Sequence, residues 1–212
     1  MADTFFDTHQ RQTLAAAMSR IIPTDDTPGA TEAGCIDFLD RYLSGIGYIY
    51  AKPDGSGFET LTGRQADAWQ TRVDAARAKY VAGVLELDRR ARQEHGTDFA
   101  DLDSDQQDGV LGSIHTPQAA EASPSIAYGK PAEPALQQTK AESDLDFFPL
   151  LVVHTRQGYL ADPIYGGNRD QVGWKTIGFP GPKDLAEVHS GRYSTRQYFA
   201  DNPVHRGQED PS

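Results

Sequence analysis

The sequence predicts a mainly α-helical protein: a small irregular helical bundle with long ordered loops, a proline-rich insertion and an extended C-terminal tail. Three observations carry that prediction. Apolar residues recur at spacings of three and four in several separate segments, the period that lines one face of a helix. Strand-like alternation is all but missing, the short exception being GIGYIY at 45–50. Glycine and proline clusters cut the helical segments apart and leave stretches that no regular element can fill.

Asp7 or Thr8 can cap a first helix running to about Ile22, with Leu14, Ala17, Met18, Ile21 and Ile22 along one face; Pro23 ends it. PTDDTPGATEAG, residues 23–34, is a turn-rich loop. Its Asp25 and Asp26 lack the sixth-position Gly and twelfth-position Glu of an EF-hand calcium loop, which leaves them as solvated turn residues. A second helix is expected from about Thr31 to Leu43, burying Ile36, Leu39, Tyr42 and Leu43. Between Ser44 and Gly63, two glycine-rich turns around a short aromatic run read as loop rather than hairpin. The clearest helix follows. Thr62 can cap a run in which Trp69, Val73, Ala76, Tyr80, Val84, Leu87 and Ala91 recur at four and three residues, and Gly96 ends it. Ser104 with Gln107 forms a capping-box pattern for a short helix carrying Val110, Leu111 and Ile114.

From Thr116 to Ser143 the chain holds four prolines and many alanines without an apolar period, and reads as an insertion: a surface loop, or a wrap laid along a partner. Asp146 is a reasonable N-cap for a helix from Phe147 to Tyr159, with Phe147, Phe148, Leu151, Val152, Thr155 and Tyr159 on its buried face. After it, Asp162-Pro163, Gly166-Gly167-Asn168, Gly173, Gly178 and Pro180-Gly181-Pro182 forbid a regular element and impose turns. Tyr165, Trp174, Ile177 and Phe179 are interleaved with them. A loop of about twenty residues with such cargo favours a docking surface; the alternative is that it packs its aromatics on its own helices. Beyond Pro182, residues 183–212 form the tail, with a short helix around Leu185 to His189 and then Tyr193, Tyr198 and Phe199 in polar surroundings.

At 212 residues and 23.2 kDa the chain is long enough for one domain with its own core. Residues 1–182 are read as that domain, with 116–143 inserted into it and 183–212 extending from it. Leu, Ile, Val and Phe make up only about a fifth of the residues, so part of the chain lacks a core of its own or shares one with a partner. The 31 acidic against 20 basic residues leave a net charge of −11 without a basic cluster, which argues against nucleic acid as a ligand. Cys35 is the only cysteine, so no internal disulfide forms, and it reads as a small core residue. Neither an eighteen-residue apolar run nor a signal-peptide pattern is seen. Direct membrane insertion is not expected. A cytoplasmic address is, with the periplasm, as part of an exported complex, the runner-up.

The motifs of the common chemistries are missing. No Gly-x-Gly-x-x-Gly stands between a strand and a helix, so no dinucleotide cofactor is expected in this chain. Gly-x-Ser-x-Gly, the P-loop, His-Glu-x-x-His and Cys-x-x-Cys are also missing. His154 with Asp162 and Asp170 remains: if these converged, His154 could act as a general base or metal ligand. The structural alternative is that Asp162 caps a turn, Asn168 and Asp170 bond loop amides, and His154 satisfies a backbone group. No catalytic, cofactor-binding or metal residue is assigned on this basis.

One string is more specific. Phe147-Phe148 opens a helix, followed in order by His154-Thr155, Gly158-Tyr159, Asp162-Pro163-x-Tyr165-Gly166-Gly167-Asn168-x-Asp170, Gly173-Trp174-Lys175 and Gly178-Phe179-Pro180-Gly181-Pro182. This order resembles the gluconate 2-dehydrogenase subunit 3 family, the small non-flavin subunits of heteromeric FAD-dependent sugar and polyol dehydrogenases. IIPTDDTPGATEAGCIDFLD, Ile21 to Asp40, is similar to a second family motif. The resemblance implies a non-catalytic accessory subunit that stabilises a larger glucose-methanol-choline (GMC) type oxidoreductase, as a heterodimer or higher assembly, and assists its folding or flavin loading. FAD is expected in that partner and no cofactor in this chain. The substrate class implied is a sugar, sugar acid or glycoside, with a glycoside 3-dehydrogenase among the options. Phe147, His154, Tyr159, Asp162, Pro163, Tyr165, Asn168, Arg169, Trp174, Phe179 and Pro180 are the expected partner-binding residues. Two alternatives stay open: a self-sufficient enzyme using His154, Asp162 and Asp170, and a maturation or export chaperone that dissociates. Many family members resemble exported proteins with a twin-arginine leader, which MADTFFDTHQ does not contain.

Overall fold

Asp7 opens the first helix of the computed structural model, which describes residues 4–114, 144–182 and 186–187. Helix α1 is Thr8–Ile21. The Asp7 carboxylate accepts from Gln10 N at 2.8 Å while the Gln10 amide oxygen accepts from Asp7 N at 3.2 Å, a reciprocal cap that satisfies two otherwise orphaned donors. Its buried face is Thr13, Leu14, Ala17 and Met18.

The single second helix predicted from Thr31 is two helices, α2 (Ala30–Ala33) and α3 (Cys35–Ser44). Gly34, at φ 67°, is the left-handed residue between them. That break resets the helical phase. Cys35, Phe38, Leu39, Asp40 and Leu43 take the inner face, while Ile36 and Tyr42, expected inside, are half-buried. Upstream, the Asp25 carboxylate accepts from Thr27 N at 2.8 Å and from its hydroxyl at 2.9 Å, the turn role expected of it. The 45–62 stretch is loop, with one 3₁₀ turn, Ile46–Tyr48, and an isolated antiparallel bridge between Ala51 and Phe58.

Helix α4 runs Gly63–His95 and buries Val73, Ala76, Tyr80, Gly83, Val84, Leu87, Asp88 and Ala91, the predicted stripe except for half-buried Trp69. Thr62 stands at its N-cap but makes no side-chain capping bond, and Gly96 closes it in the left-handed conformation at φ 81°. Helix α5 is Ser104–Ile114. Its cap lies one residue before the predicted pair: Asp103 and Gln106 bond reciprocally at 2.9 and 3.2 Å, while Gln107 turns inward and donates to Phe99 O at 3.2 Å. Helix α6 is Phe147–Leu160, lying against α3. It buries Leu150, Leu151, His154, Thr155, Gly158 and Tyr159; Phe147, Phe148 and Val152, predicted on this face, are half-buried. Its N-terminus reaches α4 at Gly83, where a Cβ would stand 2.1 Å from the Phe147 ring. A short α7, Val172–Thr176, corrects the expectation that the 162–182 stretch holds no regular element.

The buried apolar residues of α1 through α6 join in one cluster around Leu14, Leu39, Tyr80, Leu87, Phe99 and Leu151. Each such side chain contributes at most about 1.5–3 kcal/mol of burial. Cys35 belongs to it: burial pushes its thiol up to about 12 and Sγ donates to Thr155 O at 3.4 Å, so it is inert core as predicted. No helix among the described residues is long and apolar enough to cross a membrane. The insertion at 116–143 lies outside the described residues, as does the tail with Tyr193, Tyr198 and Phe199 apart from Ala186 and Glu187.

Candidate functional site

An α-helix leaves its last carbonyls without intrahelical partners. At α6 the following loop supplies those partners almost one by one. Asn168, fully buried, donates its backbone N–H to Gly158 O at 2.7 Å and its amide Nδ2 to Ala161 O at 2.9 Å. Trp174 donates Nε1 to Leu160 O at 2.7 Å and is 6% exposed. The remaining Asn168 amide oxygen accepts from Gly173 N at 2.9 Å, joining the start of α7 to the end of α6.

These bonds need backbone contact closer than any Cβ permits. At Gly167 a Cβ would stand 2.1 Å from Gly158 O, and at Gly173 1.9 Å from Tyr159 O. The approach is held by three left-handed residues, Asn168, Asp170 and Gln171, at φ 46°, 54° and 58°. That conformation costs roughly 1–2 kcal/mol per non-glycine residue. Arg169 ties the strained turn down, donating to Asp37 at 2.5 Å; Asp37 also takes Arg11 at 2.6 Å. The Asp162 carboxylate accepts from Ile164 N at 3.0 Å ahead of a 3₁₀ turn, Pro163–Tyr165. The Gly-Gly-Asn and Gly-Trp spacing is therefore a helix-capping device.

His154, Tyr159, Asn168 and Trp174, expected at a partner surface, are instead interior. His154 is 1% exposed, with Nδ1 at 2.7 Å from the Tyr80 hydroxyl and its ring against Tyr42 and Tyr80. Tyr159 donates its hydroxyl to Pro28 O at 2.6 Å. Phe147 packs edge-on to Tyr80, and Phe179 edge-on to Trp174. Asp162, Pro163 and Tyr165 are half-buried, whereas Arg169 and Pro180 are exposed. Among the described residues no group of three or more His, Cys, Asp or Glu is placed to hold a metal ion, so His154, Asp162 and Asp170 are not gathered for that purpose.

A concave surface lies beside the end of α6. Phe38 and Tyr42 of α3, Tyr48 and Ile49 of the following turn, Trp69 of α4, Gln157, Leu160 and Ala161 of α6, and Tyr165 enclose a cleft of about 430 Å³. Among the described residues no charged side chain lines it, and Gln157 brings the only amide side chain. Two polar tips in its walls are already engaged: the Tyr165 hydroxyl accepts from Ala51 N at 3.2 Å, and Trp69 Nε1 donates to the Tyr50 hydroxyl at 3.2 Å. Arg72 lies over the Trp69 ring at 4.2 Å and Arg41 over Tyr48 at 5.9 Å, Arg41 also donating to Ile164 O at 2.7 Å. Of the residues expected at a binding surface, only Tyr165 lines this cleft. In sequence Tyr42 and Trp69 read as core and Tyr48 and Ile49 as loop, and nothing marks Phe38, Gln157, Leu160 or Ala161, because only the packing of α3, α4 and α6 brings them together.

The model of one protein family, described as gluconate 2-dehydrogenase subunit 3, matches residues 8–181. No curated protein and no solved structure matches the chain.

Proposed function

The chain belongs to the gluconate 2-dehydrogenase subunit 3 family, a subunit family of a multi-subunit dehydrogenase, and from that premise we propose that it is a non-catalytic small subunit of an FAD-dependent oxidoreductase. The large partner is a GMC-type flavoprotein that oxidises a sugar, sugar acid or glycoside, a glycoside 3-dehydrogenase being one form. FAD and the reacting groups belong to that partner. This chain stabilises it and assists its folding or flavin loading.

The observation that carries the reading is the family match across residues 8–181. The chemistry of the chain supports it. His154, the one histidine of the distinctive stretch, spends Nδ1 on Tyr80 inside the core, and Asp162 spends a carboxylate oxygen on its own turn. The self-sufficient enzyme thus gains no support. The concave surface is walled mainly by rings and aliphatic carbon, with no carboxylate or histidine among its described lining residues, which suits association better than acid–base work.

Co-expression with an FAD-dependent dehydrogenase subunit from the same genome tests the proposal. The expected result is a co-eluting complex with a flavin absorbance spectrum and sugar-oxidising activity that this chain alone does not show. Turnover by the purified chain that disappears in His154→Ala would overturn it.

A further inference from the structure

We infer that the aromatic cleft between α3, α4 and α6 is the seat for an apolar, acid-flanked segment of the flavoprotein subunit; this rests on the reading of the chain as that enzyme's small subunit. Apolar surface beside the cleft does not stop at its mouth. Tyr50, 38% exposed, meets Trp69 edge-on, and Leu160, 42% exposed, forms part of the wall. An apolar hollow continued by exposed apolar lips marks a surface that a partner or a ligand covers.

The lining separates the classes of occupant. A sugar needs many convergent hydrogen-bonding groups, and here the Trp69 and Tyr165 tips are already engaged, while among the described residues Gln157 supplies the one amide and Tyr42 and Tyr48 the other hydroxyls, set among apolar and aromatic carbon. Aliphatic and aromatic side chains of a polypeptide need ring faces, which this cleft offers.

Charge identifies what flanks them. In a chain of net charge −11, Arg11, Arg20, Arg77 and Arg169 each pair with a carboxylate of the chain itself. Arg41 and Arg72, the two guanidiniums lying over lining rings, form no ion pair among the described residues. They stand at the cleft as cations whose carboxylates come from outside. An acid-flanked apolar segment of the flavoprotein meets both features at once, the rings with its apolar side chains and the two guanidiniums with its carboxylates.

The test is tagged co-purification of the full chain with an FAD-dependent dehydrogenase subunit from the same genome, for the wild type and for Leu160→Glu, Arg72→Glu and Leu85→Glu. Leu85, 65% exposed on α4 and not part of the cleft, is the control. Wild type and Leu85→Glu are expected to hold the flavoprotein, while Leu160→Glu and Arg72→Glu weaken it by at least about tenfold. With 5-fluorotryptophan in this chain alone, the Trp69 resonance should shift on adding the flavoprotein and that of buried Trp174 should stay. If the wild type holds the flavoprotein and both cleft variants hold it equally well, the cleft is not the seat, although the small-subunit reading survives. A wild-type chain that holds no flavoprotein overturns both. An isolated chain that dimerises and is made monomeric by Leu160→Glu assigns the cleft to a second copy instead.

Discussion

Two regions flank the end of α6, and they divide distinctiveness and exposure between them. The 162–182 loop carries the most recognisable residues in the chain, yet its Asn168 and Trp174 point inward and occupy helix carbonyls. Apart from Tyr165, which that loop lends to it, the cleft wall is drawn from residues that look ordinary in sequence, such as Phe38, Tyr42 and Trp69, yet it forms the concave apolar surface. The difference teaches that an unusual string of glycines and asparagine marks unusual backbone geometry first. A binding surface needs only common side chains left uncovered.

The comparison breaks most easily at Gly173. Gly173→Ala would put a Cβ 1.9 Å from the Tyr159 carbonyl oxygen, and is expected to cost more than about 3 kcal/mol, read as a lowered midpoint of chemical denaturation. A wild-type midpoint would show that the close approach is not needed. Next comes Asn168→Ala, which strips the side-chain partners from Ala161 O and Gly173 N; about 2–4 kcal/mol should be lost. The two tryptophans sharpen the contrast, because the same change tests both regions. Trp174→Phe deletes a buried bond to Leu160 O and should cost about 1–2 kcal/mol, while Trp69→Phe deletes an exposed bond to Tyr50 and should cost under about 0.5 kcal/mol, with its effect on partner binding instead. Equal losses in the two would erase the distinction between the regions.

The smallest effect lies outside both regions and serves as a reference. His9 on α1 bonds Asp88 on α4 at 2.6 Å, and this hydrogen bond raises the His9 pKa above 6.5, burial opposing it. The folded state therefore binds the His9 proton more tightly than the unfolded chain. The contribution is fully present below pH 6.5 and is lost as pH rises through the raised folded value. Thermal midpoints measured across that range should fall more steeply for the wild type than for His9→Gln, with cleft occupancy unchanged.

The helices were legible wherever one period decided their burial. The α4 stripe from Val73 to Ala91 and the α1 face at Leu14, Ala17 and Met18 are where spacing placed them. The reading slipped where one residue changed the phase. Gly34 divides the second helix, and Asp103 takes the cap assigned to Ser104. For the site, the loop was visible but its direction was not, since the alternatives of docking surface and self-packing differ only in which groups the aromatic side chains meet.

By itself the sequence determined the helical class, the positions of the turns, the inert thiol and the family, because these depend on local period, on residue chemistry and on the order of a motif. Tertiary structure decided which aromatics are buried and which line the cleft. Burial is a property of three helices meeting: Trp69 is left half-covered by the way α4 passes α3 and α6, and Trp174 is covered because the end of α6 has carbonyls that must be satisfied.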